Sequence, residues 1–588
     1  MKKSIHRLWI WTSLFFAFFA AWPQMIDKSF LLFLFSYFLW ALIFGVEFLI
    51  GWILIKIIRT QYKKYRSILI HSITNQQKEQ LVFYGIFILT ILTWLPSFLA
   101  FFPGTFGADA PRQLAMFNGD LPFTTHHPWL HTLLIGILIN TCQFLFHNPN
   151  IGIGIYIFFF QIMFCAYALS KAMLYLYRKG LNPWTLFGTS FLMAISPFSQ
   201  MLVNYTTKDV PYAAALLLFI VSICEVLFPA KTVSHSMNQP HQAASMRDTK
   251  NNAHQSQARQ NQGEKHKDNH PTLGSVLLSQ LLTSKSIIGW GILMCLLRNQ
   301  GLYLVVIGFV ILLVVYSKTM KKRALKLFMV SQVCIILVAW ILTSVIPSIA
   351  GIKISNPREM LALPIHQIAF ELNRNAESQD KFLTTQDEEE VYSYFDNFKP
   401  ENLDPYSADN SKDLFDNAKF SKNPGAFLSL YLRIIAKNPL GILQSATYLT
   451  APYFDMRYGR YNALSVTTSY EDYASQKGIT PSNSLLPGYQ DWLRDIAIRS
   501  SSKKYCPFWL RFFDPGITLY FLIFMLGYAI FCKNTFAATV CIYPVLYVLT
   551  MMLGPVSLLR YSFVYAFEWP FLFGVWLLCI ATPQKRKA

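Results

Sequence analysis

Two aspartates open segments that the sequence predicts to be helices. Asp109 lies in GADAPRQLAMFN and Asp209 in TKDVPYAAALLLF, each with a proline two residues later. Because proline is favoured in the first turn of a helix, each acid could serve only as the residue that caps it. A carboxylate beside an apolar span, however, costs free energy unless it is solvated, paired or used. The other interpretation is catalytic: Asp109 and Asp209 would act as a general base or hold a divalent cation such as Mg²⁺ or Mn²⁺.

Three histidines follow Asp109 in the segment HHPWLH. His127 and His131 are four residues apart, so a helix that begins near the intervening proline would place both on one face. His126 directly precedes them. These imidazoles could bind a phosphate group, orient Asp109 or ligate a metal ion. Alternatively, they anchor a helix at the membrane surface beside Trp129.

Four further polar residues could bind an anion. Lys208 lies in the outer loop that precedes the second acid, Arg298 and Asn299 interrupt an apolar run in LLRNQG, and Arg560 lies in LLRYSF. The arginine guanidinium is a rigid fork of donors that suits a phosphate. We predict that all four bind substrate. Ion pairs between the cations and acids at helix ends are the alternative.

The composition indicates a membrane protein with many spans. Of the 588 residues, 53% are hydrophobic and only 14% are charged, whereas soluble domains average about 25% charged residues. The net charge of +20 is concentrated between apolar runs, so a membrane explains it more simply than nucleic acid does. Nine cysteines without paired spacing argue against a disulfide framework or a zinc knuckle.

The apolar segments and the basic loops between them predict a topology. Apolar segments lie at 8–24, 30–58, 81–102, 129–146, 150–176, 184–203, 210–229, 286–297, 300–317, 325–347, 516–532, 535–553 and 561–581. Lysine and arginine concentrate in cytoplasmic loops. All the basic loops can be cytoplasmic only if 129–146 lies flat at the outer face or re-enters. About twelve helices then cross, and both termini are cytoplasmic. Four of the candidate residues then lie on the outer side: Asp109, Asp209, Arg298 and Arg560.

Two apolar segments allow alternatives. The run at 286–317 could be one tilted helix, but that would move the basic loop SKTMKKRALK to the outer side. We therefore favour two short helices with Arg298 at the turn between them. The start of the chain, MKKSIHRLWIWTSLFFAFFAAWP, resembles a signal peptide but has no clear cleavage site, so we interpret it as an uncleaved first helix.

The chain divides into six predicted regions. The segment 231–272 is rich in Gln, Asn, His and Ser and cannot bury a core, so it should be disordered. Residues 350–512 have helical apolar spacing and turn signals, which predict a mostly α extracytoplasmic domain. The regions are 1–80 with two helices and a basic loop, 81–229 as the membrane core with the outer loop 103–149, the polar linker 230–285, the helices of 286–349, the domain 350–512, and 513–588 with the last helices and a basic tail.

The order of several short motifs resembles a known group of proteins. The chain contains, in this order, FPG…D…HHP.LHTLLI, TKDVPYA, LRNQGLY, REMLALPIHQIA and RYSFVYAFEWPFL. This order resembles an uncharacterised bacterial family of multi-pass membrane proteins that is itself similar to the GT-C glycosyltransferase superfamily. The resemblance covers residues 81–581. Where that family has two glutamines, this chain has PIHQ, so His366 departs from the pattern and Gln367 is the expected substrate contact.

The resemblance implies a fold and a reaction. GT-C enzymes use sugars linked to lipid phosphates and work at the outer face of the membrane. The implied donor is a polyprenyl-phosphate sugar, the acceptor belongs to the cell envelope, and the location is the bacterial cytoplasmic membrane. Asp109 matches the acid of the first outer loop, and Asp209 matches a second acid. A surface helix follows the first acid in that superfamily, which agrees with a segment 129–146 that does not cross.

The implied mechanism divides the work among these residues. Arg298 and Arg560 would stabilise the leaving phosphate, and Asp109 would accept the proton of the attacking hydroxyl. The second acid and the histidines would position the acceptor, the phosphate or a divalent cation. A transporter or lipid flippase, or a non-enzymatic envelope scaffold, remains the alternative. A large separation between Asp109 and Asp209 would exclude the enzyme.

Overall fold

The structure is a computed structural model of the 588-residue chain. It describes residues 2–25, 30–46, 76–107, 109–229, 273–317, 322–353, 357–454, 472–480, 483–501 and 514–581. Several parts of the sequence-based prediction lie outside the described residues. They include residues 47–58 of the second apolar segment, the basic loop at 56–66, the segment 231–272 of the polar linker, residues 455–471 and 502–513 of the predicted region 350–512, and the basic tail at 582–588.

The described part of the chain is almost entirely helical, as predicted. The first helices are α1 (Lys2–Ala21), α2 (Phe30–Val46), α3 (Gln76–Phe101), α4 (Asp109–Asn118), α5 (Trp129–Phe146), α6 (Pro149–Arg178), α7 (Pro183–Ile195), α8 (Pro197–Leu202) and α9 (Asp209–Leu227). They are followed by α10 (Leu273–Leu297), α11 (Gln300–Tyr316) and α12 (Ala324–Ile349).

A group of mostly short helices separates these from the last three. The group consists of α13 (Ala362–Glu377), α14 (Thr385–Tyr392), α15 (Asp409–Asp413), α16 (Asn417–Lys422), α17 (Pro424–Lys437), α18 (Pro439–Phe454), α19 (Asp472–Gln476) and α20 (Pro487–Ser501). The last three are α21 (Pro515–Phe531), α22 (Thr535–Met552) and α23 (Leu559–Ala581).

Several of these helices suit a membrane span. By length and composition, seven of the described helices can cross a bilayer: α3, α5, α6, α9, α12, α22 and α23. Six shorter apolar helices accompany them, α1, α2, α7, α10, α11 and α21. The protein is therefore an all-α membrane protein. The run at 286–317 forms two helices that break at Arg298 and Asn299, in agreement with the two-helix interpretation. Twelve crossings stay a prediction.

Helix α9 is the centre of the bundle. Each residue from Asp209 to Cys224 is buried, and the helix packs against α6, α10, α22 and α23. Its sequence is apolar on all sides, which is typical of a helix enclosed by others. Because Asp209 is its first residue, the only acid of this buried stretch lies at the end where the helix dipole favours negative charge.

Residues 357–454 build a second hydrophobic core outside the membrane bundle. Its buried side chains come from α13, α14 and α17 and include Ile365, Val391 and Leu430. Helices α17 and α18 meet at a bend of 104°. The end of α18 then packs on membrane helices, where Phe454 stacks on Phe19 with ring centroids 4.1 Å apart. This mostly α unit lies within the predicted region 350–512.

Helices α3 and α6 run antiparallel and define the two ends of the bundle. At one end Arg178 pairs with Glu79 at 2.8 Å. At the other end the rings of Phe98 and Phe158 are 5.6 Å apart. About 30 Å of helix separates the two ends, which is close to the hydrocarbon thickness of a bilayer.

Helix α5 stays at the Phe158 end. Its first turn contacts Tyr156 through His131, and its last residue is joined to the start of α6 by two residues only. The loop before it and the start of α6 both contact residues 477–480, through Asp120 and Asn150. Both ends of α5 therefore lie on one side of the bundle, although its length and composition would suit a span.

This geometry predicts the accessibility of the residues that flank α5. Single cysteines in place of the exposed Leu121 and His147 should react with a membrane-impermeant maleimide from the same side of sealed vesicles. A cysteine in place of the exposed Gln77, at the other end of α3, should react from the opposite side. The native cysteines of the described chain are buried or half-buried, so wild-type protein gives the background. Reaction of residues 121 and 147 from opposite sides would show that α5 crosses.

Candidate functional site

The loop before α9 places Asp209 in the interior. The loop is held by Gln161 in the π-helical turn of α6, whose side chain donates to Val203 O at 2.7 Å and accepts from Thr207 N at 3.2 Å. The Thr207 hydroxyl donates to Asp209 Oδ2 at 3.0 Å. Turns of this π type recur at functional sites because they redirect a side chain out of the helical register.

Asp209 forms a buried ion pair with Arg298. Arg298 Nη1 donates to Asp209 Oδ1 at 2.5 Å, and the exposed fractions of the two side chains are 7% and 0%. The arginine occupies the break between α10 and α11, where the backbone leaves the helix and its side chain reaches α9. The helix break at LLRNQG therefore places the Arg298 guanidinium beside the buried Asp209 carboxylate.

Aromatic side chains enclose this arginine. Nη1 also donates to the Tyr547 hydroxyl at 2.9 Å, and Tyr547 in turn donates to Tyr561 O at 3.0 Å. The guanidinium carbon lies 4.9 Å from the ring centroid of Tyr561 and 5.7 Å from that of Tyr212. Cation–π contacts of this kind stabilise a cation that has lost its water. Arg298 is thus fixed on all sides.

Asp109 binds two cations through one oxygen. Lys208 Nζ lies 3.0 Å and Arg560 Nη2 lies 3.2 Å from Asp109 Oδ2. Burial raises the pKa of this carboxyl, but Arg560 and Lys208 outweigh burial and hold the pKa well below its usual range. The side chain keeps 26% of its surface exposed. Asp109 is therefore an ionised acid at the edge of the bundle.

Arg560 joins the two acids. Its Nη2 contacts Asp109, while its Nε lies 3.6 Å from Asp209 Oδ2. The five side chains form a chain of alternating charge, which we call the charge cluster: Lys208, Asp109, Arg560, Asp209 and Arg298. It has three cations and two acids, and so a net charge of +1.

The charge cluster retains unused donor capacity. Arg560 Nη1 is buried and has no hydrogen-bond partner among the described residues. A buried donor left without an acceptor costs about 1–3 kcal/mol. Together with the net positive charge, this donor favours an anionic ligand beside the exposed edge of Asp109.

The histidines take different positions around the cluster. Lys208 Nζ donates to His127 Nδ1 at 3.3 Å. Burial, with the Lys208 charge adding to it, lowers the pKa of His127 to about 2, so this ring is neutral. His126 is more exposed and lies 3.8 Å from Glu359 Oε1 of the 357–454 unit. The two adjacent histidines thus connect the cluster with that unit.

His131 supports the loop behind the cluster. Its Nε2 lies 2.6 Å from the Tyr156 hydroxyl, and that hydroxyl donates to Thr207 O at 3.0 Å. Its Nδ1 faces the side-chain amide of Gln113 at 3.0 Å. Since both ring nitrogens are engaged and the side chain is buried, His131 positions Thr207 and does not face a ligand.

The chain segment that enters the 357–454 unit lies across the loop before α5. Thr125 N donates to Lys353 O at 3.0 Å, and Asn299 Nδ2 donates to Thr125 O at 2.9 Å. Beyond it, Lys412 pairs with Glu359 at 3.0 Å and with Asp409 at 2.9 Å. Asn299 therefore holds the loop and is outside the charge cluster.

The structure locates Gln367 and corrects one other expectation. The Gln367 side chain donates to Ile442 O at 3.1 Å and accepts from Tyr431 at 2.6 Å within the core of the 357–454 unit, and its role as a substrate contact stays a prediction. The capping interpretation is wrong for Asp209, because this residue lies inside the first turn and Lys208 precedes the helix. Gln367 on α13 faces α17 and α18. A short sequence motif does not show which side of a helix packs against its neighbours.

The expected divalent cation finds no ligand set. The described residues contain no group of three His, Cys, Asp or Glu side chains that could hold a metal ion. Both oxygens of Asp209 and one oxygen of Asp109 are occupied by cationic or hydroxyl donors.

Sequence analysis missed several residues of the site. Thr207, Tyr156, Tyr547 and Tyr561 all contact the cluster or its supporting loop. The threonine two residues before Asp209 carried a usable signal, since Ser and Thr bond the backbone or side chain two residues on. The tyrosines lie in apolar helices and carry no signal that distinguishes them from core residues.

Comparisons with known proteins place the chain in a family. The model of a family of unknown function, DUF6020, matches residues 119–587, and the chain belongs to this family. Lys208, Asp209, Arg298 and Arg560 lie within the matched region, and Asp109 precedes it. Neither a curated protein nor a solved structure matches the chain.

The buried ion pair predicts a large loss of stability on neutralising its acid. Asp209→Asn leaves Arg298 buried without its counter-charge and should cost about 3–5 kcal/mol of unfolding free energy. Asp120→Asn removes an acid that is 46% exposed and pairs with Lys477, so it should cost less than about 1 kcal/mol. Denaturant unfolding of the purified protein measures both. An equal cost for the two variants would contradict a structural role for the Asp209–Arg298 pair.

Proposed function

We propose that this member of DUF6020 is an integral membrane glycosyltransferase. It transfers a sugar from a polyprenyl-phosphate donor to a cell-envelope acceptor at the outer face of the bacterial cytoplasmic membrane. The observation that carries the proposal is the charge cluster, in which a partly exposed acid lies beside an arginine with a free buried donor. The resemblance of the motif order to GT-C glycosyltransferases supports the same reaction.

The cationic side of the cluster binds the phosphate of the donor. Arg560 supplies Nη1, which has no acceptor of its own among the described residues, and Lys208 supplies an ammonium group that contacts the same oxygen of Asp109. Charge develops on the phosphate as the sugar leaves, and pre-organised donors stabilise this charge. Arg298 acts indirectly. Its ion pair with Asp209 fixes the position of that acid, and Asp209 in turn orients Arg560.

Asp109 is the general base. When no sugar donor is bound, Arg560 and Lys208 hold the pKa of the Asp109 carboxyl low, so the carboxylate is a poor base. A bound phosphate competes for the same two cations and thereby makes the carboxylate more basic. The acceptor hydroxyl then gives its proton to Asp109 as its oxygen bonds to the anomeric carbon. The bond from that carbon to the phosphate oxygen breaks, and its electron pair leaves with the lipid phosphate.

The 357–454 unit provides acceptor selectivity. It reaches the loop beside the cluster through the contact of Glu359 with His126, and Lys353, just before the unit, accepts from Thr125 N in the same loop. An acceptor that approaches Asp109 from outside the bundle would pass these residues. In this arrangement His127 orients Lys208 and does not itself exchange a proton, because its ring remains neutral.

A topology with the cluster outside and both termini cytoplasmic agrees with this role. It includes about twelve crossings and an α5 that lies at the outer face. The position of both ends of α5 at the cluster end of the bundle supports this topology. The polyprenyl chain of the donor would lie between the helices, within the bilayer.

The two alternative functions fit the cluster less well. A non-enzymatic scaffold needs no site that unites Asp109, Asp209 and Arg298, yet Arg560 bridges the two acids. A transporter would place its charged substrate site near the middle of the membrane. The cluster lies at the ends of its helices, with Asp209 first in α9 and Arg560 second in α23.

The reaction can be tested with purified protein and a panel of polyprenyl-phosphate sugars. Wild-type protein should release lipid phosphate, and Asp109→Asn should lower the rate at least about a hundredfold, since general base catalysis contributes roughly 10²–10⁴. Asp120→Asn in the same loop serves as the matched control and should keep the wild-type rate. Retained activity in Asp109→Asn, with normal membrane insertion, would remove Asp109 from the mechanism.

A further inference from the structure

A second buried acid lies inside the bundle, away from the charge cluster. Glu568 is near the middle of the span Leu559–Ile580 and is 1% exposed. Neither of its carboxyl oxygens has a hydrogen-bond partner among the described residues. The proposed transfer reaction does not use it.

An isolated charge at this position is physically unfavourable. An ionised carboxylate in an apolar interior needs a counter-charge or several donors. Of the titratable groups on helices that pack against α23, Tyr212 on α9 and Cys541 on α22 interact electrostatically with Glu568. Neither is a cation, and no described residue forms an ion pair with Glu568. The neutral, protonated acid is the form that this environment favours.

Tyr212 lies one helical turn after Asp209 on α9. Glu568 lies about two turns after Arg560 on α23, which packs against α9, so Tyr212 is nearer than Glu568 to the cluster end of the bundle. The ring centroid of Tyr212 is 5.7 Å from the guanidinium carbon of Arg298, and its hydroxyl is buried without a hydrogen-bond partner among the described residues. Tyr212 also interacts electrostatically with Glu568. Because buried polar groups are normally satisfied by protein or by ordered water, internal water is the expected partner of both groups.

We propose that Glu568 is a proton-binding site within the membrane part of the protein, and that Tyr212 and internal water connect it with the charge cluster. The chemical ligands are a proton and water. On deprotonation, the Glu568 carboxyl gives its proton to a neighbouring water, and the Tyr212 hydroxyl passes a proton to water on the cluster side while receiving one from the Glu568 side. The carboxylate is formed and one proton leaves at the cluster end.

This site is independent of glycosyl transfer. Intramembrane acids commonly mark paths for protons or ions, and this one lies on the helix whose first turn carries Arg560 of the cluster. Loss of transfer activity in the Asp109 variant would leave the proton-binding site untouched. The experiment for Glu568 therefore uses no sugar donor.

Infrared spectroscopy of the full chain in lipid vesicles tests the proposal. At neutral pH, wild-type protein should show the carbonyl band of a protonated carboxylic acid, and Glu568→Gln should lose it. If that variant does not fold, Glu568→Asp assigns the band by shifting its frequency. Absence of any band that depends on Glu568 at neutral pH would overturn the proposal.

The exchange of that proton tests the connection through Tyr212. After transfer into heavy water, the band should shift as deuterium replaces the proton, and Tyr212→Phe should slow this shift about tenfold, equivalent to about 1.4 kcal/mol. Tyr543→Phe is the matched control: it also removes a fully buried hydroxyl that has no hydrogen-bond partner among the described residues, but Tyr543 interacts electrostatically with Cys295 and not with Glu568. An unchanged rate in Tyr212→Phe, or equal slowing in both variants, would overturn the connection.

Discussion

The buried ion pair between Asp209 and Arg298 is the interaction on which the rest of the site depends. It ties the first residue of the central helix to the break between α10 and α11. Both charges lie where water cannot reach them, so neither is stable without the other. The second oxygen of Asp209 then orients Arg560, which in turn holds Asp109. The exposed acid is thus positioned by a chain of charges that begins in the core.

The supporting loops explain how a bundle of apolar helices keeps five charges at one end. Gln161 and Thr207 fix the loop before α9, and His131 supports it from behind through Tyr156. These supporting side chains form hydrogen bonds with the loop and with one another, as burial of polar groups requires. The surplus cation and the unpartnered donor of Arg560 lie at the edge of this network, where a ligand would complete it.

Much of this arrangement could be predicted from the sequence, but not all. Apolar runs and basic loops predicted the helical membrane class, and the break at LLRNQG predicted the position of Arg298. The prolines after Asp109 and Asp209 correctly placed both acids at helix starts. The long-range ion pairs could not be predicted. Arg560 and Asp109, for example, are in contact although most of the chain separates them in the sequence. The hydrogen bonds of Gln367 to α17 and α18 could not be predicted either, because packing between distant helices decides which face of α13 turns inward.

The central claim is that the charge cluster binds a lipid-linked phosphate, and its most direct test is an affinity measurement. Wild-type protein should bind a polyprenyl phosphate more tightly than the corresponding polyprenol. Arg560→Gln should weaken phosphate binding by about tenfold to a hundredfold, as expected when a charged hydrogen bond is lost, and leave polyprenol binding unchanged. Equal affinity of wild-type protein and Arg560→Gln for the phosphate would contradict the account.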